Sequence, residues 1–291
     1  MVKHLTELRP MATLLLLSLL ISADTLSAAE TQENLRRENL VAWCIVPFDS
    51  ENRNPQQRAE MLDRLGIKRV AYDWREQHIP EFEEEILAYK ENGIEFFAFW
   101  RGHESAFDLF AKYDIAPQIW KTVPSPRGTS SAERIEKAVE EMLPIAKQTA
   151  EAGLELGLYN HGGWGGLPAN MVAICEALRE KGFDNVGLVY NFHHGHPRIA
   201  SFSEDMKRML PYLLCVNING MLNPATNDVA VNANKIRPIG SGDHEADMIV
   251  TMINLGYDGP VGVLGHIQTR DVEEVLQENL DGLESVVGRT K

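Results

Sequence analysis

Gly153-Leu154-Glu155-Leu156-Gly157-Leu158-Tyr159-Asn160-His161 runs on through Gly162-Gly163-Trp164-Gly165-Gly166-Leu167 to Pro168, and this stretch holds every joint of one β/α unit. Gly153 can take the left-handed conformation that stops a helix. The apolar run 155–161 reads as a buried strand, and Pro168 suits the first position of the next helix.

The same grammar recurs along the chain. Gly66-Ile67, Gly93-Ile94, Gly182-Phe183 and Gly256-Tyr257 also close helical patterns and open apolar runs. Helix starts are marked by Asn54-Pro55 with Gln57 in capping-box position, by Pro80, and by Ser130 with Glu133. The strands expected between these signals lie near 40–46, 68–74, 94–100, 115–120, 155–161, 186–191, 213–219 and 260–266. Alternating strands and helices imply a parallel sheet with right-handed crossovers, and eight units in a chain of this length predict a single, closed, eight-stranded (β/α)8 TIM barrel. The competing open, doubly wound sheet often carries a glycine-rich phosphate fingerprint after its first strand. No such motif follows residue 46.

The first residues read differently. Lys3 and Arg9 precede an apolar run from Met11 to Ile21, and small residues end in Ser27-Ala28-Ala29. That is the order of a secretory signal peptide, and the run is too short to span a bilayer. Residues 1–29 are therefore expected to be removed, leaving residues 30–291 as the barrel domain of a secreted or periplasmic protein with no membrane segment.

Charge narrows the partners. With 28 Lys and Arg against 42 Asp and Glu the formal charge is −14, which argues against nucleic acid, whose binding relies on clustered cations. Cys44, Cys175 and Cys215 lie in apolar runs without a neighbouring base, so buried free thiols are expected rather than a disulfide framework.

A barrel of this kind carries its site at the C-terminal ends of the strands. Trp43, Trp74, Trp100 and Trp120 end the first four strands and Trp164 follows the fifth, a set that can form an aromatic wall for the apolar face of a sugar or simply pack the barrel mouth. The later strand ends carry amides and imidazoles: Tyr159-Asn160-His161, Asn191-Phe192-His193-His194-Gly195-His196, Asn217-Ile218-Asn219 and Gly265-His266. Seven histidines, with His103 and His244 completing the set, thus fall on one face, which favours proton transfer or ligation over isolated structural roles. Asp73 is the carboxylate placed at a strand end. Lys121, Arg101 and Arg198 can grip an anionic group or remain solvated rim charges, and Asp243 is expected to cap the seventh helix.

Leu158-Tyr159-Asn160-His161 with Gly162-Gly163, and Asn191-Phe192-His193-His194, resemble the fifth and sixth strand ends of the sugar phosphate isomerase/epimerase family, within the xylose isomerase-like TIM barrel superfamily. The likeness covers residues 40–288. It implies a site in which a Glu, an Asp, a His and a Glu from strands five to eight hold one divalent metal, and the two glutamates move protons on either side of an enediolate. At those positions this chain has Tyr159 or Asn160, Asn191, Asn217 or Asn219, and Gly265 or His266. The spacing Asn191-x-x-His194 survives from the family's D-x-x-H, whose histidine contacts substrate.

Uncharged amides are poor partners for a hard divalent ion. His161, His194, His196 and His266 can instead offer imidazoles to a transition metal such as Zn or Mn. The metal-free arrangement uses His194 as the base, assisted by His161 or His266, with Lys121 or Arg101 and asparagine amides at the developing oxyanion. Trp43, Asp73, Trp100, Arg101, Trp120, Asn160, Trp164, Asn191 and Asn219 are the expected substrate-binding residues. The expected activity is a sugar isomerase or epimerase that removes a proton next to a carbonyl. The alternatives are a carbohydrate-binding barrel without catalysis and a β-eliminating keto-glycoside lyase, while a metal-dependent endonuclease on this fold lacks the ligands and the cationic surface it needs.

Overall fold

The computed structural model describes residues 33–224 and 234–288, so the expected signal peptide, 1–29, lies outside the described residues. Eight parallel strands close on themselves in sequence order: β1 Val41–Trp43, β2 Arg69–Tyr72, β3 Glu95–Trp100, β4 Gln118–Thr122, β5 Leu156–Tyr159, β6 Val186–Asn191, β7 Leu213–Ile218 and β8 Val261–Leu264. The seam is made by β1 on β8, with Val41 opposite Gly262 and Trp43 opposite Leu264.

Among the described residues these α-helices follow the strands: α1 Pro55–Leu65, α2 Phe82–Glu91, α3 Glu104–Tyr113, α4 Ser131–Glu151, α5 Pro168–Glu180, α6 Phe202–Met209, α7 Glu245–Asn254 and α8 Val272–Gly288. Their ends obey the local rules read from the sequence. Asn54 and Gln57 form the expected reciprocal capping box at α1, and Ser130 accepts a hydrogen bond from the Glu133 amide at α4. Gly66 stops α1 at φ 71° and Gly153 follows α4 at φ 70°, where a side chain would be strained.

The cap of α7 differs from expectation. Asp243 accepts hydrogen bonds from Asn223, and the buried Glu245 carboxylate gathers the amides of Met221, Gly240 and Gly242. Three backbone donors outweigh the single bond that a capping Asp243 would have offered.

Strand alternation sorts the side chains into two apolar layers. Tyr72, Ile119, Leu156, Leu158, Leu188, Val216 and Val263 point outward and pack under the helices. Val41, Trp43, Ala71, Trp120, Tyr159, Val189, Cys215 and Leu264 fill the barrel interior. All three cysteines are buried and free, as expected.

Candidate active site

Small residues at the lower level of the later strands make room for large side chains from elsewhere. A Cβ on Gly157 would come within 2.6 Å of Val189 and 2.8 Å of Trp120, so this glycine lets the Trp120 ring fill the barrel. Above that floor opens a cavity of about 390 Å³, lined by Trp43, Cys44 and Phe48 from β1 and its loop, Asp73 and Arg75 beyond β2, Trp100 and Arg101 from β3, Thr122 from β4, Tyr159 and His161 from β5, His193 and His194 after β6, and His266 after β8.

Four imidazoles share this space. The rings of His193 and His194 are 3.7 Å apart, those of His161 and His194 are 4.4 Å apart, and His266 lies 3.7 Å from the Phe48 ring. Burial, reinforced by the other imidazoles and Lys235, pushes His194 down to about 3. Burial and the Arg75 charge lower His266 to about 4. Burial also lowers His161 and holds His193 well below the usual range. At neutral pH the cluster is therefore uncharged, with lone pairs free of protons.

The cavity's carboxylate is tuned the other way. Burial lifts Asp73 to about 7, against the lowering effects of Arg75 and of the Val46 amide, which donates to Oδ1 at 3.2 Å. Its Oδ2 has no hydrogen-bond partner, and neither do Nδ1 of His193 and Nδ1 of His266. Three cavity-lining residues thus have polar atoms without a protein partner.

Tyr159 is the most constrained group in the cavity. Trp43 Nε1 donates to its hydroxyl at 3.0 Å, and Asn191 Nδ2 donates to the same oxygen. With both lone pairs engaged, the hydroxyl is left as a donor, and burial keeps the phenol protonated by raising its pKa well above the ordinary value. Cys44 and Arg101, next to Trp43 and Trp100, adopt φ values of 59° and 68°. Left-handed backbone at non-glycine residues costs about 1–3 kcal/mol each and gathers at functional sites.

Of the expected residues, the cavity gathers His161, His194, His266, Trp43, Asp73, Trp100 and Arg101. The others sit elsewhere. Lys121 shares the outward face of β4 with Ile119, opposite Trp120 and Thr122, because successive strand residues alternate. Trp120 is wholly buried beneath the cavity and donates to Gln118. Trp164 lies under the Arg134 guanidinium, and Trp74 packs outside the sheet on Phe82 and Phe99.

Most of the strand-end amide groups are occupied within the protein, the exceptions being Asn217 Nδ2 and Asn219 Oδ1. Asn160 accepts from the Asn191 amide at 2.7 Å and donates to its carbonyl at 3.1 Å, extending the β5–β6 ladder past the strand end. Asn191 braces Tyr159, and Asn219 donates to the carbonyls of Gly220 and Lys235. Among the remaining histidines, His196 bonds the Leu222 carbonyl, His103 accepts from the Ser105 amide, and His244 bonds Asn223. Arg198 is held by both oxygens of Asp205.

Tyr159 and Arg75 could have been found by parity, since Tyr159 alternates with the inward Gly157 and Arg75 with Asp73. Phe48 and Thr122 carried no chemical signal.

The donor set does not fit the metal that the family resemblance implies. At the strand ends where the resemblance implies two glutamates, an aspartate and a histidine, the described residues are Tyr159 and Asn160, Asn191, Asn217 and Asn219, and Gly265 and His266, uncharged groups at neutral pH that suit a hard divalent ion poorly. His196 uses its Nε2 on a carbonyl, so the four-imidazole set is not assembled. Among the described residues no three His, Cys, Asp or Glu side chains are grouped to hold an ion.

Residues 20–286 match the family model described as xylose isomerase-like TIM barrel. The chain belongs to this family. Similar solved structures include the IOLI protein with a bound zinc atom, at 12% identity and TM-score 0.65, covering 86% of this chain and 98% of that one. The 3-keto-D-glucoside 4-epimerase YcjR of E. coli is similar at 15% identity and TM-score 0.57, covering 86% and 99%. A D-psicose 3-epimerase solved with D-fructose is similar at 15% identity and TM-score 0.58, covering 86% and 97%. At such identities the likeness is one of fold. No curated protein matches the chain.

Proposed function

We propose that this xylose isomerase-like barrel is an exported sugar isomerase or epimerase that removes a proton next to a sugar carbonyl without the family's metal carboxylates. The observation that carries this reading is the clustering of His161, His193, His194 and His266, all lowered in pKa, around one cavity that also holds an indole wall and a fixed phenol donor. Trp43 and Trp100 would take the apolar face of the ring. His194, between its two imidazole neighbours, is the base, and the proton it accepts can be shared with His161 or His193. As the C–H pair moves toward the carbonyl, the Tyr159 hydroxyl would donate to the growing oxyanion, with Arg101, whose guanidinium rests over the Trp74 ring, as a positive charge at the cavity edge. Export rests on the charged flank, apolar run and small-residue exit of residues 1–29. The epimerases of similar fold act on keto sugars by their own names, which supports a carbohydrate ligand here.

The test is hydrogen exchange in D2O with D-fructose, D-psicose, D-tagatose, D-sorbose and methyl 3-keto-glucosides. The protein is expected to place deuterium on the carbon beside the carbonyl of at least one of them, and His194→Ala to slow this by about 10²–10⁴-fold, the usual contribution of a positioned base. A protein that exchanges none of them overturns the reaction. Calorimetric binding of the same sugars without exchange would instead support a non-catalytic carbohydrate-binding barrel, a second reading favoured by the amides that stand at the ligand positions and bond only within the protein.

A further inference from the structure

We infer that Asp73 is a second catalytic residue, which exchanges a proton with the sugar on the face opposite the β6 imidazoles. This rests on the proton-abstraction reading above and adds an inversion of configuration to it. Resemblance does not suggest the residue, because the family's proton-moving carboxylates come from strands five and eight, whereas Asp73 follows β2.

The barrel's closure places it. With eight strands in sequence order, β2 and β6 are four strands apart in either direction around the ring, so Asp73 and His194 stand across the mouth from each other while lining the same cavity. A planar enediolate held between them presents one face to each. Asp73 is only 2% exposed. One of its oxygens is anchored by the Val46 amide, the other receives no N–H or O–H bond from the protein, and the Cys44 thiol is the group within hydrogen-bonding reach of the carboxylate.

Its neighbours leave that second oxygen available. Arg75 sends Nη1 to the main-chain carbonyls of Asp73 and Trp74 rather than to the carboxylate. The Cys44 thiol beside it is kept protonated by burial and by the carboxylate itself. A buried acid held near pH 7 while the imidazoles opposite are held neutral is a donor facing an acceptor.

The step balances without any further reactant. The C–H bond next to the carbonyl breaks, its proton goes to His194, and its electron pair moves to form the C=C bond while the carbonyl pair becomes the enediolate oxygen. The Asp73 O–H then breaks, its proton bonds to the same carbon from the other face, and the carbonyl re-forms. His194 ends as imidazolium and Asp73 as carboxylate, and solvent returns each to its starting form.

The experiment uses both members of an epimeric pair, D-fructose with D-psicose and D-tagatose with D-sorbose, in D2O. Asp73→Asn retains an acceptor for the Val46 amide. From the epimer deprotonated by His194, this variant is expected to keep deuterium exchange within a few fold of the parent while the inverted product falls at least 100-fold. From the other epimer exchange itself is expected to fall at least 100-fold. His194→Ala should give the mirror pattern.

Three results overturn parts of this distinctly. If the parent protein exchanges no sugar, the underlying reaction is wrong and the role falls with it. If the parent exchanges and D73N inverts as the parent does, Asp73 is not a proton carrier. If D73N stays folded and binds sugar as the parent does but loses exchange equally from both epimers, Asp73 only positions other groups. Should D73N fail to fold, D73S carries the same asymmetric expectation.

Discussion

Glu85→Leu is expected to lower stability by about 3–5 kcal/mol, the cost of leaving one member of a buried ion pair without its partner. Glu85 on α2 is wholly buried and receives two hydrogen bonds from Arg58 of α1, one of them Nε to Oε1 at 2.9 Å. The Arg58 side chain is 4% exposed. Its other partners are the Arg53 carbonyl and a longer contact to Glu81 at 3.5 Å.

Removing the carboxylate therefore strands a guanidinium in an apolar interface between helices, where water cannot replace the lost bonds. Burial alone would disfavour the Arg58 charge, yet Glu85 more than offsets this and raises its pKa above that of a free arginine. For a domain of this size the loss corresponds to a fall in melting temperature of about 10 °C.

The double variant Arg58→Met with Glu85→Leu should recover most of that loss, since a buried pair often adds little over a well-packed apolar replacement. Urea denaturation of the two variants decides it. A single variant within about 1 kcal/mol of the parent would show that the interface admits water and that the pair carries little.

The contrast between this pair and the cavity explains what the sequence did and did not disclose. The barrel was legible because its signals are local. Gly153 and Pro168 bracket β5 and its loop, Asn54 and Gln57 cap α1, and each apolar run between such signals became a strand of the closed sheet. None of these depends on what lies across the barrel.

The site was only partly legible, because which face a strand-end residue shows depends on register to the residue. Placing the fourth strand at 115–120 instead of Gln118–Thr122 hid the fact that Thr122 faces the cavity and Lys121 does not. Trp43 ends β1 while Trp74 lies two residues past β2, one step out of phase with Asp73, and packs against the helix layer.

The asparagines stand apart from the cavity lining for another reason. Asn160 and Asn191 occupy strand ends at which family resemblance implies ligands, but their amides continue the main-chain ladder and brace Tyr159. A pairing between residues 31 apart leaves no mark in either local sequence. Three of the histidines named for the site, His161, His194 and His266, meet in the cavity, and His193 joins them. His196, in the same short segment, turns toward Leu222 because the chain after β6 winds as a 3-10 turn.

Asp73→Asn is expected to make the folded protein more stable above pH 7, even as it removes a functional group. An acid whose pKa rises from 3.8 to about 7 on folding binds its proton more tightly in the folded state. Between those two values the unfolded chain is deprotonated and the folded one is not, so stability falls as pH rises through that window. The span of about 3 units corresponds to at most about 4 kcal/mol of lost stability by pH 8, at about 1.4 kcal/mol per unit.

An asparagine has no charge to desolvate, but its amide nitrogen would take the place of the unpartnered Oδ2 at a cost of about 1–3 kcal/mol. The expected net gain at pH 8 is thus about 1–3 kcal/mol. At pH 4 Asp73 is protonated in the folded state and the gain should vanish or reverse.

The imidazoles tilt the acid side in the opposite sense. His194 and His266, lowered to about 3 and about 4, leave the unfolded chain holding more protons from about pH 6.5 downward. Their contribution is complete above pH 6.5 and is lost as pH falls toward 4. His194→Gln should flatten that acid limb, whereas Asp73→Asn should lift the alkaline one.

Urea midpoints for the parent and both variants at pH 4, 6 and 8 separate the two effects. If D73N is no more stable than the parent at pH 8, Asp73 is ionised there at little cost, and a surrounding that solvates it would have to replace the buried one seen between Cys44, Arg75 and the Val46 amide. If the gain appears, the fold is bearing a cost at this carboxyl that packing does not explain. Selection for activity is the ordinary reason for a protein to retain such a group.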